Sequence, residues 1–260
     1  MKKFLIFPVL AFVGILFMAF VGVKYPVAHH HTYEEGEYLR YRVTYGVMDA
    51  GEAILQTQFS TKRPQGREVI HVIGTGRTLG AFNAFYKVDD RYESFIDKKG
   101  AFPWEFIRNV NEGGYIIKQD YKFDQNLQQV RTEKGKVNVP MGIQDMISAF
   151  YYARTINFRS LKPCQIVEFK CFMDGEIYPL KIKYVGKENI KIRKGTFKCI
   201  KFVPVVQKGR VFKSEDDVSF YVTDDDNKIP IFVKAHIKVG TVKLQLVEWK
   251  GILNPISKIK

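Results

Sequence analysis

Ser148 stands three residues after Asp145 in "IQDMISAFYYAR", so on a helix a hydroxyl and a carboxylate would lie one turn apart. Hydrolytic chemistry would need more: a base to activate the hydroxyl and a donor pair for the oxyanion. The base would have to be His71 or His236, both on distant segments, and the G-x-S-x-G elbow is absent. The same pair suits a helix start, where a carboxylate accepts hydrogen bonds from free amides. Other carboxylates come in pairs, Glu93 with Asp97 and Asp89 with Asp90, as a glycosidase would require, but nothing in the sequence sets their separation. "DDDN", Asp224 to Asn227, resembles the start of a calcium loop. Lys228 stands where an oxygen ligand is needed and no Gly follows in register, so a turn before Pro230 is the simpler reading. The run His29 to His31 would hold a metal only weakly and reads as a solvated tail. Three cysteines, Cys164, Cys171 and Cys199, form no C-x-x-C. Cys171 and Cys199 could bridge if their strands were neighbours; otherwise all three are expected as small buried apolar residues. The expectation is therefore no catalytic residue, no metal and no cofactor, with a glycan hydrolase the least favoured function.

The elements that position these residues are mostly strands. In "EYLRYRVTYGV" Leu39, Tyr41, Val43 and Tyr45 alternate with Tyr38, Arg40, Arg42 and Thr44, the pattern of a strand with one wet face. Similar runs recur about every ten residues with turn residues between them, which predicts roughly fourteen antiparallel strands in an open barrel or curved sandwich. Hairpin connections favour sequence neighbours pairing. No Pro/Ser-rich linker divides the chain, so residues 32–260 are expected as a single all-β domain.

One stretch breaks the period of two. Over residues 143–154 the apolar side chains Ile143, Met146, Ile147, Phe150 and Tyr151 recur at helical spacing, with Asp145 at the start and Arg154 at the end. An all-β chain offers one large apolar surface, the inside of its curved sheet, so the central helix should lie across an open mouth. There it is either a plug that completes the core or a lid over a cavity for an apolar ligand. "TLGAFNAFY", with Leu79, Phe82 and Phe85 on one side, could cover the other end. The candidate ligand-binding residues are thus Leu79, Phe82, Phe85, Met146, Ile147, Phe150 and Tyr151.

The amino terminus gives the compartment. Lys2 and Lys3 precede Phe4 to Val23, which carries no charge or polar side chain. Residues 1–31 therefore read as a signal peptide, or an uncleaved inner-membrane anchor, plus a junction. The positive-inside rule puts the remainder outside the cytoplasm, in the periplasm or cell envelope. Removing Lys2, Lys3 and Lys24 from a chain of net charge +14 leaves the exported part strongly basic. An anionic membrane surface is a fitting partner, although lysines on solvated strand faces explain the charge equally. Nucleic acid is not expected, because no basic helix or binding motif is present.

The succession "EGEYLRYRVTYG", "DAGEA", "DDRYESFID", "QDMISAFYYAR", "KGTFKCIKF" and "YVTDDDNKIPIFV" resembles a family of exported bacterial proteins known as a domain of unknown function, DUF 3108. The resemblance spans about Glu35 to Val247 and implies an envelope protein of Gram-negative type. It supplies no catalytic residues. The strand-rich pattern with a central helix is also similar to the open barrels of periplasmic lipoprotein carriers. Together these readings favour a non-enzymatic envelope protein binding a lipid or another amphipathic molecule, with an assembly partner of another envelope protein as the alternative.

Overall fold

A computed structural model of the chain describes residues 23–28, 31–205, 217–236 and 240–259. The expected leader helix falls outside them. Among the described residues no helix is long and apolar enough to cross a membrane.

The first half is a meander of eight strands: β1 (Tyr38–Tyr45), β2 (Met48–Phe59), β3 (Val69–Thr78), β4 (Asp89–Asp97), β5 (Pro103–Glu112), β6 (Tyr115–Asp124), β7 (Gln129–Thr132) and β8 (Gly135–Asn138). A short helix, α1 (Gly80–Phe85), sits between β3 and β4, and α2 (Met146–Arg154) follows β8. A second meander holds β9 (Ile166–Met173), β10 (Glu176–Ile192), β11 (Gly195–Pro204), β12 (Val218–Thr223), β13 (Pro230–His236) and β14 (Thr241–Lys250). A two-residue β15 (Lys258–Ile259) pairs with β11.

All of these strands form a single sheet, and each pairing between strands is antiparallel. The two meanders join where β1 pairs with β14, with Leu39 opposite Trp249 and Val43 opposite Leu244. Alternation explains β1: Leu39 and Tyr41 are fully buried, whereas Arg40 and Arg42 reach outward to Glu248 and Asp49. The sheet does not close. Its free ends are β8 and β9, and α2 lies in the connection between them.

The open sheet curls until its ends approach across α2. Phe172 of β9 meets Tyr121 and Phe123 of β6 with ring centroids 5.4 and 6.3 Å apart, and Arg108 of β5 pairs with Asp174 after β9 at 2.9 Å. Just before α2, Gln144 makes a parallel bridge to Cys171, its N–H donating to the Lys170 carbonyl at 2.9 Å and its carbonyl accepting from Phe172 at 2.7 Å. This backbone seam ties the helix start to an edge strand that has no strand on that side.

Two sequence readings change. Cys171 and Cys199 are both free, because β10 separates their strands. Burial pushes each thiol up to about 12, which makes them inert apolar fillers. Cys164 is exposed rather than buried, at the turn leading into β9. Tyr25, in the expected junction, packs on Phe102 and Trp104 at 5.8 and 5.9 Å, and Ala28 donates to the Lys99 carbonyl, so the junction is part of the folded body.

Candidate ligand-binding site

The site is built around α2, and the helix is fixed at both ends. Asp145 is its N-cap: Oδ1 accepts from the backbone N–H groups of Ile147 and Ser148 at 2.7 and 2.6 Å. Ser148 Oγ accepts in return from the Asp145 N–H at 2.8 Å, completing a capping box. Ser94 of β4 donates to Asp145 Oδ2 at 2.6 Å and so locks the cap to the sheet. Burial outweighs these bonds and pushes the Asp145 carboxyl up to about 6. The expected helix over 143–154 therefore begins three residues later, because Asp145 terminates it and Ile143 belongs to the bridging segment.

At the other end Arg154 is buried with Glu37, the pair being 2% and 0% exposed. Its guanidinium donates to both Glu37 carboxylate oxygens at 2.6 Å, to the Thr32 carbonyl at 3.1 Å and to the Asn227 carbonyl at 2.9 Å. The rings of Tyr33 and Tyr151 flank it at 5.4 and 5.2 Å. Such a two-pronged, fully bonded geometry is what makes a buried ion pair tolerable.

Between these anchors α2 divides its faces. Ile147 and Tyr151 pack against Ile70, Val72 and Ile96, and Met146 joins Phe106, Tyr121 and Phe172. Gly74 on β3 permits this approach: a Cβ there would stand 3.1 Å from Ile147 Cδ1. On this side the helix is a plug.

On the other side it is not. Ala149, Phe150 and Ala153 face the inside of β9 to β13 across a cavity of about 230 Å³. Its wall carries Phe158, Phe169, Leu180, Phe202 and Phe220, with the Phe158 and Phe202 rings tilted at 46° and their centroids 4.2 Å apart. Space remains because the helix presents two alanines where the sheet presents aromatic rings. Lys181, Arg154 and Lys228 contribute the charged part of the lining.

Of the seven residues proposed from sequence, Phe150 alone lines this cavity. Met146, Ile147 and Tyr151 are core. Leu79, Phe82 and Phe85 lie at the far end of β1 to β3, on a helix with no buried residue; Phe85 is 88% exposed, and Phe82 rests on Tyr45. That helix rests on the ends of β1 and β2 and does not line the cavity. The cavity residues missed, Phe158, Phe169, Phe202 and Phe220, sit at inward positions of alternating strands or just after α2. Such positions read as ordinary core.

The groups considered for catalysis do not converge. Ser148 serves the cap, while His71 pairs with Glu93 at 2.6 Å and stacks on Phe95. Glu93 and Asp97 are four residues apart on one strand, about 13 Å by strand rise, beyond the separations that glycosidases use. Asp97 is occupied by Arg67 and Trp104. Asp224 and Asp226 point to Lys187 and Arg159 instead of a common centre. Among the described residues no cluster of three metal-binding side chains is found.

Comparison with known proteins agrees with this architecture. A β-barrel-like protein of domain of unknown function DUF1849 from Brucella abortus superposes with a TM-score of 0.55 at 11% identity, over 86% of this chain and 100% of that one. The likeness is one of fold. A hypothetical protein from Chlamydia trachomatis reaches a TM-score of 0.39 at 12% identity, over 88% and 94% of the two chains. None of the curated proteins matches the chain. The profile of a protein family of unknown function matches residues 40–247, and the chain accordingly belongs to the DUF3108 family.

Proposed function

We propose that the protein is a non-enzymatic binding module of the cell envelope, holding an apolar or amphipathic molecule between α2 and the second meander. One observation carries the reading: an open-sided cavity of about 230 Å³ walled by Phe150, Phe158, Phe169, Phe202 and Phe220. The concavity is open on one side, and it leaves apolar side chains such as Leu180 partly exposed beside a rigidly capped helix, a surface that a bound apolar molecule would cover. Apolar concavities in the mouths of β structures are common ligand sites. The apolar leader supplies the route to the envelope, where such ligands are abundant.

The test is to fill the space. The protein should raise the fluorescence of the neutral dye Nile red, and native mass spectrometry of protein taken from its own envelope should show a bound lipid. Ala153→Trp should abolish both without lowering the melting temperature. If the unmodified protein binds no dye and carries no lipid, the reading fails.

A second reading, assembly with another envelope protein, has its own support. At the end of the sheet opposite Arg154, Val47, Met48, Phe85, Tyr86, Tyr115 and Ile116 are all more than half exposed. Scattered apolar residues are normal, but a cluster at one tip marks a contact surface. Photo-crosslinking from Val47 or Phe85 in cells should yield one stable protein adduct on this reading and none on the first.

A further inference from the structure

Lys228 is 7% exposed, lines the apolar cavity and follows the Asp224–Asn227 turn with φ of 49°. Its own N–H donates to Asp225 Oδ1 at 3.2 Å, so the turn fixes where the side chain starts. The carboxylates that could neutralise it are engaged elsewhere. Asp226 pairs with Arg159 at 3.0 Å. Asp225 accepts from Thr223 Oγ1 at 2.8 Å and from the N–H groups of Asn227 and Ser257 at 2.9 and 2.7 Å. Glu37 is taken by Arg154. Among the described residues no carboxylate lies within ion-pairing distance of the Lys228 ammonium. Burial lowers its pKa from the ordinary lysine value; Asp226 and Asp225 oppose that shift, while Arg159 and Arg154 add to it.

The Lys228 side chain thus carries a charge beside an apolar lining with no direct ion pair, and Asp226 and Asp225 favour that charge only from beyond pairing distance. The other cations of the cavity are already balanced, since Lys181 pairs with Glu168 at 3.3 Å and Arg154 with Glu37. The lining is therefore apolar with a single open positive charge. Resting on the reading that the cavity binds an amphipathic molecule, we propose that its ligand is a fatty carboxylate, with the acyl chain against Phe158, Phe169 and Phe202 and the head on Lys228. The volume, just below the usual ~300–1,000 Å³ of small-molecule pockets, suits one chain rather than the two of a bilayer lipid. One ammonium balances one carboxylate, whereas a phosphate monoester carries roughly −1.5 to −2 at neutral pH and would be left in excess.

Displacement of Nile red from the full chain tests this with dodecanoate, dodecanol and dodecyl phosphate, each below its aggregation limit. Dodecanoate should displace the dye at a concentration about tenfold or more lower than dodecanol, the size of one buried charge-assisted hydrogen bond. Lys228→Gln should erase that difference by weakening dodecanoate toward the dodecanol value, and Lys228→Arg should keep it. Equal potency of dodecanoate and dodecanol on the unmodified protein overturns the carboxylate proposal and leaves the cavity reading standing. Dodecyl phosphate stronger than dodecanoate overturns the choice of head group. Loss of dodecanol binding in Lys228→Gln shows a structural lysine and overturns it too. Failure of all three to displace the dye, or of the dye to bind, sinks the underlying reading instead.

Discussion

Asp145 carries a tension between two requirements. As an N-cap it must accept hydrogen bonds from the helix amides, and as a buried group it must give up water; burial prevails and its pKa rises to about 6. In the unfolded chain the group returns to its ordinary value near 3.8. Between these values the folded protein holds a proton that the unfolded chain has released, so this residue's contribution to stability falls as pH rises from about 4 to about 6. Asp145→Asn keeps a capping side chain and removes the titration. Denaturant unfolding from pH 4 to pH 7 should show the variant gaining on the unmodified protein by on the order of 3 kcal/mol across that window, then running parallel above it. Parallel curves throughout would show that the cap bonds, rather than burial, set the group's pKa.

At the scale of elements, α2 is held as firmly by Arg154 as by its cap, since Arg154 ties it to β1's approach at Glu37 and to the β12–β13 turn at Asn227. Removing one charge strands the other in a dry interior. Arg154→Met or Glu37→Leu alone should each cost about 3–5 kcal/mol of unfolding free energy, whereas the double substitution should recover most of that loss. A double variant no better than the singles would assign the effect to packing. The existence of α2, its cap and its basic end were legible in sequence because helical periodicity and capping chemistry are local. Its buried ion pair was not, since Glu37 is 117 residues away and opens a segment that read as a strand with one wet face. The strands were legible for the same local reason. The joint of the two meanders, β1 with β14, and the gap between β8 and β9 depend on curvature, which no run of residues encodes. Sequence also treated "TLGAFNAFY" as a second cover because its aromatics share a side. The structure leaves Leu79 and Phe85 of that side exposed and seats only Phe82, against Tyr45.

For the whole molecule, one face of α2 completes a core and the other leaves room. The plug and the lid were posed as alternatives, yet the helix does both: Ile147 and Tyr151 pack into the core of the first meander, while Ala149, Phe150 and Ala153 border the open space toward β10 to β13. Rigidity on one side is what gives the opposite wall a fixed shape. The joint between β1 and β14 has a further meaning for how the protein comes into being. Tyr38 finds its partner at Lys250, so the first strand made waits for nearly the last. Contacts so far apart in the chain slow folding, and until they form β1 presents an unpaired edge ready to join a neighbouring chain. A protein emerging from a membrane amino-terminus first would spend that interval exposed, and its folding would be timed by the arrival of its carboxyl-terminal strands rather than by its first ones.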